Sequence, residues 1–376
     1  MGSDVVVVFS PVGGGHKSAA VAVAEAARAR GLRTKVLDTF DFGPRVFGEA
    51  YLAAHLASTN ATPELYGSAY ERANSRGGLF DPIRRGFDHV ALRALVDAVC
   101  DESPGVVVAT HHLPLVVLGR ARRTGALRAP LVGVVTDYTA HAVWAERGVD
   151  GFTVGCGLAK DELVAHGIDA TTVEETGIPI RPAFERIPDV EDPREGAPLK
   201  VLVTSGGFGA STTRAIVRSF RGVDDVLLTI VTGDSPRLRR AVARDLGSLG
   251  VYARVLGFER DMPARIAESH LVVGKAGGLT VSETLAAGRP MIVVGAVPGN
   301  ERRNEDRVTE GRAGFAAVPE DVAEVVATLR ARRALSEFGR RARGLVKSGS
   351  ADAVLDVALA HQARIRSRAA SMRLIA

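Results

Sequence analysis

Residues 271 to 304 read LVVGKAGGLTVSETLAAGRPMIVVGAVPGNERRN. Leu271 to Val273 form a short apolar run of the buried-strand kind and Gly274 to Gly278 a glycine-rich turn. Thr280 to Ala287 then reads as a helix that Gly288 and Pro290 stop before a second strand, Met291 to Val294. Glycine lets a backbone approach a ligand closely, and a helix starting behind the turn aims free N–H groups and its positive dipole end into it. The guest such a turn favours is an anion, for example a diphosphate. Glu283, one turn into the helix, brings a carboxylate able to accept both hydroxyls of a ribose. A simpler reading uses the same residues: Thr280-x-x-Glu283 has the spacing of a capping box, in which both side chains satisfy the helix's own N–H groups.

Lys275-Ala276-Gly277-Gly278-Leu279-Thr280, Glu283, Gly288-Arg289-Pro290, and Pro298-Gly299-Asn300-Glu301 with Asn304 resemble, in order and spacing, the nucleotide-sugar signature of the monogalactosyldiacylglycerol synthase family and its bacterial diacylglycerol glucosyltransferase relatives. Those are glycosyltransferases of the GT-B type, related to the enzyme that adds N-acetylglucosamine to the peptidoglycan lipid precursor. The resemblance implies an α/β fold of two Rossmann-like domains facing a central cleft. It also implies a UDP-sugar donor, with Glu283 on the ribose, the loop from Lys275 to Thr280 before the phosphates, and Asn300, Glu301 and Asn304 near the donor sugar. The chain departs from the pattern at Gly277-Gly278-Leu279-Thr280, where the plant synthases carry a proline, and at Asn300, where glutamine is common. Both positions adjoin the sugar, so the choice of hexose stays open.

At 376 residues, 46% of them hydrophobic and 24% charged, the chain exceeds the size at which one core usually keeps growing, and two domains are expected. No apolar run approaches the ~20 residues that cross a bilayer, and Val5 to Phe9 is too short and wrongly flanked for a signal peptide. A cytoplasmic protein is the expectation. Cys100 and Cys156 show neither C-x-x-C nor Cys/His ligand spacing, so neither a disulfide framework nor a structural zinc is expected. The formal charge of +5 suits nucleotides, an anionic membrane surface or nucleic acid equally, and no basic run with interleaved aromatics singles out a nucleic-acid partner.

Asp4 to Ser10 is a continuous apolar strand of the parallel-sheet kind, and Gly13-Gly14-Gly15-His16-Lys17-Ser18 follows it into an alanine-rich helix, Ala19 to Arg30. The glycine spacing is not G-x-G-x-x-G, so a nicotinamide cofactor is not expected. In the family that the donor stretch resembles, such a turn faces the cleft, which implies Gly15 beside the donor and His16 at the reaction centre. The plain reading of His16 is a solvated residue at a helix start. Residues 41–98 read as helices and loops carrying, with Phe40 beside them, Phe42, Phe47, Tyr51, Tyr66, Tyr70, Phe80 and Phe87. The plain reading is a helical subdomain with its own small core; the resemblance implies a surface that shapes the acceptor site and touches the membrane. Gly105 to Thr110 and Leu131 to Val135 are the next strands, ending in His111-His112 and Thr136-Asp137, and ligands of open α/β sheets bind beyond such carboxyl ends. Val134-Val135-Thr136-Asp137 with His141 and Trp144 matches the family pattern in which the aspartate is a candidate base. The resemblance puts His111, His141 and Trp144 on the acceptor side, while Asp137 can also simply cap a helix from Tyr138.

Thr176-Gly-Ile-Pro-Ile-Arg-Pro182 resembles the family's interdomain junction and closes a first domain at residues 1–182; the proline-rich, acidic stretch Ile187 to Pro198 reads as a surface linker. Residues 199–345 repeat the plan. Leu199 to Thr204 is a strand, Ser205 to Ser211 a glycine turn opening a helix, and further strands run to Met291 to Val294, with a helical stretch beyond Gly314-Phe315. The resemblance implies Gly206, Gly207 and Phe208 along the phosphates and Gly257, Phe258 and Met262 beside the nucleobase; Phe258 reads equally as core filler. Residues 346–376 are expected as a terminal helix crossing back onto the first domain. Arg364, Arg366, Arg368 and Arg373 in it suit either an anionic leaflet or a solvated, disordered end.

These features and the resemblance together imply an inverting hexosyltransferase with a UDP-sugar donor, no cofactor, and His16 or Asp137 as base. The acceptor is a diacylglycerol-type lipid or a soluble small molecule. No D-x-D occurs, so a divalent ion on the diphosphate would lack its usual carboxylate clamp, and metal independence is expected. Two other classes stay open: a UDP-sugar 2-epimerase with the same two-domain fold, and a non-catalytic nucleotide-sugar binder.

Overall fold

The computed structural model describes residues 2–60, 74, 88–205, 210–296 and 299–375. The chain forms two compact units, Met1–Arg181 with Val297–Asn300 and Gly349–Ala376, and Pro182–Ala296 with Glu301–Ser348. Each carries its own sheet of six parallel strands.

In the first unit the strands β1 (Val5–Phe9), β2 (Thr34–Asp38), β3 (Val106–Ala109), β4 (Leu131–Val134), β5 (Gly151–Val154) and β6 (Val173–Glu175) lie in the order β2-β1-β3-β4-β5-β6. β1 and β3 are uninterrupted apolar runs because helices cover both faces of a parallel sheet, leaving no solvent side to demand alternation. The helix Gly14–Ala29 lies on one face, and its buried Ala20, Val23, Ala24 and Ala27 share a core with Ala351, Val354, Leu355 and Ala358 of the C-terminal helix Ser350–Ile375. Arg30 ties the two helices together through Asp352 (2.6 Å) and Asp356 (2.5 Å). A Cβ on Gly105 would come within 2.0 Å of Gln362, and one on Gly151 within 2.3 Å of His361, so this docking needs glycine at the strand starts. The backbone of the arginine-rich end is therefore helical, and the disordered reading of it falls away. Among the described residues no helix is long and apolar enough to cross a membrane.

In the second unit β7 (Leu199–Thr204), β8 (Val226–Val231), β9 (Ala253–Leu256), β10 (Leu271–Gly274), β11 (Met291–Val294) and β12 (Gly314–Ala317) lie in the order β12-β11-β10-β7-β8-β9. The strand β12 differs from the expectation that the chain is helical beyond Gly314. Its four residues carry no alternation, and a Cβ on Gly314 would lie 1.8 Å from the Met291 carbonyl oxygen, so glycine alone admits the pairing.

The stretch after Pro182 also differs from a plain surface linker. Ile187 and Val190 are buried, and the guanidinium of Arg343 binds the carbonyls of Glu185 (3.0 Å) and Ile187 (2.7 Å) and the carboxylate of Asp189 (2.9 Å). Arg289, 4% exposed, donates to the carbonyls of Ser269, Pro188 and Ala287, each at 2.8 Å. Burial lowers its pKa to about 10, which still leaves it charged at neutral pH. Arg289 of the Gly288-Arg289-Pro290 motif is thus a rivet that fastens this segment to a turn and a helix end.

His270 joins β10 to β7: its N–H donates to Lys200 O, and its Nδ1 accepts the Lys200 N–H, both at 2.8 Å. Burial, with Lys200 and Arg289 nearby, holds its pKa below the usual 6.5. The folded ring stays neutral where the unfolded one takes up a proton, so stability falls as pH drops through the unfolded value and levels off once the folded value is passed. The urea midpoint is expected to decline from pH 8 to pH 5.5, and the decline to be smaller in His270→Gln; equal slopes in the two proteins would refute this account.

Candidate active site

In the first unit the strand order turns between β1 and β3, which is where the loops of an open parallel sheet part. Gly13, with φ of 74°, turns the chain after β1, and the helix begins at Gly14, earlier than the predicted Ala19. Gly15 and His16 therefore sit in its first turn. Thr110, which follows β3, grips His16 twice: its hydroxyl donates to the His16 carbonyl (2.8 Å), and its carbonyl lies 2.9 Å from His16 Nδ1. The Thr136 hydroxyl, beyond β4, is also 2.9 Å from Nδ1. A carbonyl oxygen only accepts, so Nδ1 carries the proton, and in the neutral ring the lone pair lies on Nε2.

The other predicted histidines hold the opposite tautomer. His111 Nδ1 accepts from the N–H of Leu113 (3.2 Å), capping the helix His112–Arg123, and His141 Nδ1 accepts from the N–H of Val143 (3.1 Å), capping the short turn Ala142–Trp144. Each neutral ring then has its proton on Nε2, which makes it a hydrogen-bond donor and not a base. His111 stands edge-on to His16 with ring centroids 4.4 Å apart. Trp144 is buried, 6.2 Å from the ring of His112, whose Nε2 in turn meets the hydroxyl of Tyr51 at 3.1 Å. Phe40, Phe47 and Tyr51 cluster beside them, while Tyr66, Tyr70, Phe80 and Phe87 lie outside the described residues.

No helix begins at Tyr138, so the capping role for Asp137 falls away. Asp137 is half-buried in a bend, and its carboxylate accepts from the Nδ2 of Asn300, which clusters with this unit (3.1 Å). Glu162 steadies the loop beyond it by accepting from the Thr139 hydroxyl (2.7 Å) and the Ala140 N–H (2.6 Å). Thr136 was read from the sequence only as a polar residue ending a strand, and Thr110 and Glu162 were not singled out; the polar residue ending the apolar run at 110 was the available signal.

In the second unit the order turns between β7 and β10, and the loop after β10 is Lys275 to Gly277. The helix behind it starts at Gly278, with Gly277 as its cap residue and no side-chain cap. Gly278, Leu279 and Thr280 thus fill its first turn, Thr280 is not the cap, and the capping-box reading is withdrawn. Glu283 sits half-buried in the following turn. The helix Asn300–Glu310 holds the loop from the other side: Lys275 pairs with Glu301 (3.0 Å), and Asn304, fully buried, donates to Ala276 O (2.8 Å). The Asn304 amide is thereby engaged with the loop backbone. Gly257 and Phe258 follow β9, before the helix Met262–Ala267 that Asp261 caps. Phe258 is 64% exposed and does not fill the core. Gly206, Gly207 and Phe208 lie outside the described residues.

Residues 16–180 match the family model for monogalactosyldiacylglycerol (MGDG) synthase, and residues 200–306 that for the glycosyltransferase family 28 C-terminal domain. Among curated proteins, a processive diacylglycerol beta-glucosyltransferase of Bacillus cereus is 26% identical over 371 residues, covering 95% of this chain and 93% of the relative. Among solved structures, MurG of Acinetobacter baumannii superposes with a TM-score of 0.65 at 17% identity, over 95% of this chain and 99% of that one. The chain is a glycosyltransferase of GT-B fold, similar in its first segment to MGDG synthase. The first family segment lies in the first unit, from His16 to just short of Arg181, and the second lies in the second unit apart from residues 297–300. UDP-GlcNAc 2-epimerase from Neisseria meningitidis, solved with UDP-GlcNAc bound, has the same fold at a TM-score of 0.59 and 12% identity, over 94% of this chain and 99% of that one.

The tautomer of His16 in this glycosyltransferase is open to direct measurement. Long-range 1H–15N spectra near neutral pH are expected to show its Nδ1 protonated and its Nε2 bare, with His111 and His141 the reverse. Protonated Nε2 on His16 would overturn the assignment.

Proposed function

We propose that this glycosyltransferase moves a hexose from a UDP-sugar to the free hydroxyl of a diacylglycerol-type lipid, with inversion at the anomeric carbon and without a metal ion. The observation that carries the chemistry is the bond from His16 Nδ1 to the Thr110 carbonyl, because it leaves Nε2 free of a proton at the carboxyl ends of β1 and β3. Support for the lipid acceptor comes from the likeness, over nearly the whole chain, to a relative named for diacylglycerol glucosylation.

The acceptor oxygen attacks the anomeric carbon from the face opposite UDP and gives its proton to His16 Nε2, while the bond from that carbon to the UDP oxygen breaks. Asp137 is the other candidate for the proton, and its carboxylate also suits orienting the hydroxyl. The charge that grows on the leaving diphosphate is met by the N–H groups of the uncapped helix start at Gly278 to Thr280 and by the ammonium of Lys275. The sequence holds no D-x-D, which fits a site where these groups take the place of a metal. Glu283 holds the ribose. A lipid acceptor implies that the protein works at a membrane surface, on the cytoplasmic side where UDP-sugars are made.

A donor screen by mass spectrometry, with lipid and soluble acceptor pools, tests the whole reading. Transfer to soluble acceptors alone would replace the lipid, and turnover of a UDP-sugar with no transfer would make the protein an epimerase. In the transfer assay His16→Ala and Asp137→Asn are each expected to lower kcat about 100-fold or more with UDP binding kept, since base catalysis acts in the transition state. Near-normal rates for both would remove the assigned chemistry.

Glu283→Ala is expected to weaken UDP by roughly 1.5–3 kcal/mol, the range of a charged hydrogen bond, in calorimetric titration. Unchanged affinity would take Glu283 off the ribose.

A further inference from the structure

The first sheet has a recess at the amino ends of its strands, the opposite end from His16. A cavity of about 310 Å³ opens there between the chain start at Gly2 to Asp4, Arg33, the turn Ser103 to Gly105, Arg128 and the C-terminal helix at Gln362 to Arg366. Its walls come from segments far apart in sequence. Arg33 immediately precedes β2, Arg128 leads into β4, and Arg366 lies on the C-terminal helix.

Charge in the recess is unbalanced. Arg33 forks onto Asp4, Nε to Oδ2 at 3.0 Å and Nη2 to Oδ1 at 2.9 Å, and this pairing lowers the Asp4 carboxyl to about 2, with Arg366 adding to its field. Arg128 and Arg366 form no ion pair among the described residues. Three guanidiniums thus line the recess with one carboxylate, Asp4, while the Glu102 carboxylate behind Ser3 is paired with Lys35. Such convergence raises the local potential, and a bound anion relieves the repulsion. Ser103 on the rim holds a φ of 44°, a strained conformation for a residue that is not glycine. The packing beneath is tight, with Gln362 seated directly against Gly105.

We propose that this recess is a second ligand site, which binds a phosphate group through Arg128 and Arg366, with Arg33 and Asp4 completing the ring. Guanidinium is the side chain whose planar fork matches two phosphate oxygens at once, and two forks without carboxylate partners suit a group with several charged oxygens. The volume lies at the lower end of small-molecule pockets, ~300–1,000 Å³, and so fits a phosphate with a small substituent. The phosphate can be free in solution or part of a lipid headgroup. The proposal stands apart from the transfer reading, because the recess is at the other end of the strands.

The test is calorimetric titration of the full-length protein with inorganic phosphate, in excess UDP to occupy the donor site and again without UDP. One saturable site per chain is expected in excess UDP, at least tenfold weaker in the double variant Arg128→Gln/Arg366→Gln and unchanged in Arg364→Gln, whose residue is on the same helix but does not line the recess. Both substituted arginines are exposed and form no ion pair among the described residues, so matching melting curves are expected to show the fold intact. No phosphate binding in excess UDP, or equal binding by the double variant, would overturn the site. Should UDP itself not bind, the donor reading fails, while the double variant still reports on the recess. Sedimentation with phosphatidylglycerol and phosphatidylcholine vesicles separates the two sources. Phosphatidylglycerol binding that the double variant loses and free phosphate competes away assigns the headgroup, and vesicle binding indifferent to the variant assigns the soluble anion.

Discussion

A parallel strand can return to its sheet only through a crossover, and where successive crossovers leave in opposite directions the two loops diverge and open a gap. This chain does so once in each sheet, between β1 and β3 and between β7 and β10. Several of the predicted site residues with a structural partner sit on loops or helix starts at the carboxyl ends of the strands. His16 and Thr110 flank the first, and the loop from Lys275 to Gly277 flanks the second. The buried valine runs at positions 5–8 and 106–108 matter to the chemistry because they fix where the strands end, and hence where the polar residues behind them emerge.

At the first divide the decisive element is reciprocity. The Thr110 hydroxyl donates a hydrogen bond to the His16 carbonyl and the Thr110 carbonyl accepts one from the ring Nδ1–H, so one residue fixes both the position and the tautomer of the imidazole. Thr110 and Thr136 are buried, which keeps water from competing for these bonds. His111 and His141 spend their Nδ1 lone pairs on capping backbone, so neighbouring histidines are sorted into different chemical states by local hydrogen bonding alone. The second divide is organised differently: Lys275 and Asn304 hold a glycine loop in shape from the helix beyond it, and the helix facing that loop keeps its first N–H groups free of a side-chain cap.

Much of this was legible in the residues. Strands longer than three residues and fully buried stand out as apolar runs, and the two glycine turns announce where helices follow strands. What stayed hidden depends on contacts far apart in sequence. The strand β12 exists because Gly314 admits close approach to Met291, which no local pattern encodes. Helix starts fell earlier than expected at Gly14 and Gly278, since glycine lowers local propensity even where tertiary packing extends the helix. The stretch at 187–198 has the composition of a solvated linker, yet arginines a hundred or more residues later fasten it down. Thr110 and Thr136 are visible only as polar punctuation; their role follows from where His16 folds back.

Among the described residues, the hydrogen bonds of the Arg289 side chain go to main-chain carbonyls, at Ser269, Pro188 and Ala287 and, at 3.4 Å, Ala267. Those bonds are indifferent to which side chains the partner positions carry, so these four sites are free to drift while position 289 is not. Among descendants of a common ancestor such a residue stays fixed with no covarying companion, and methods that infer proximity from paired substitutions pass over one of the tightest joints in the second unit.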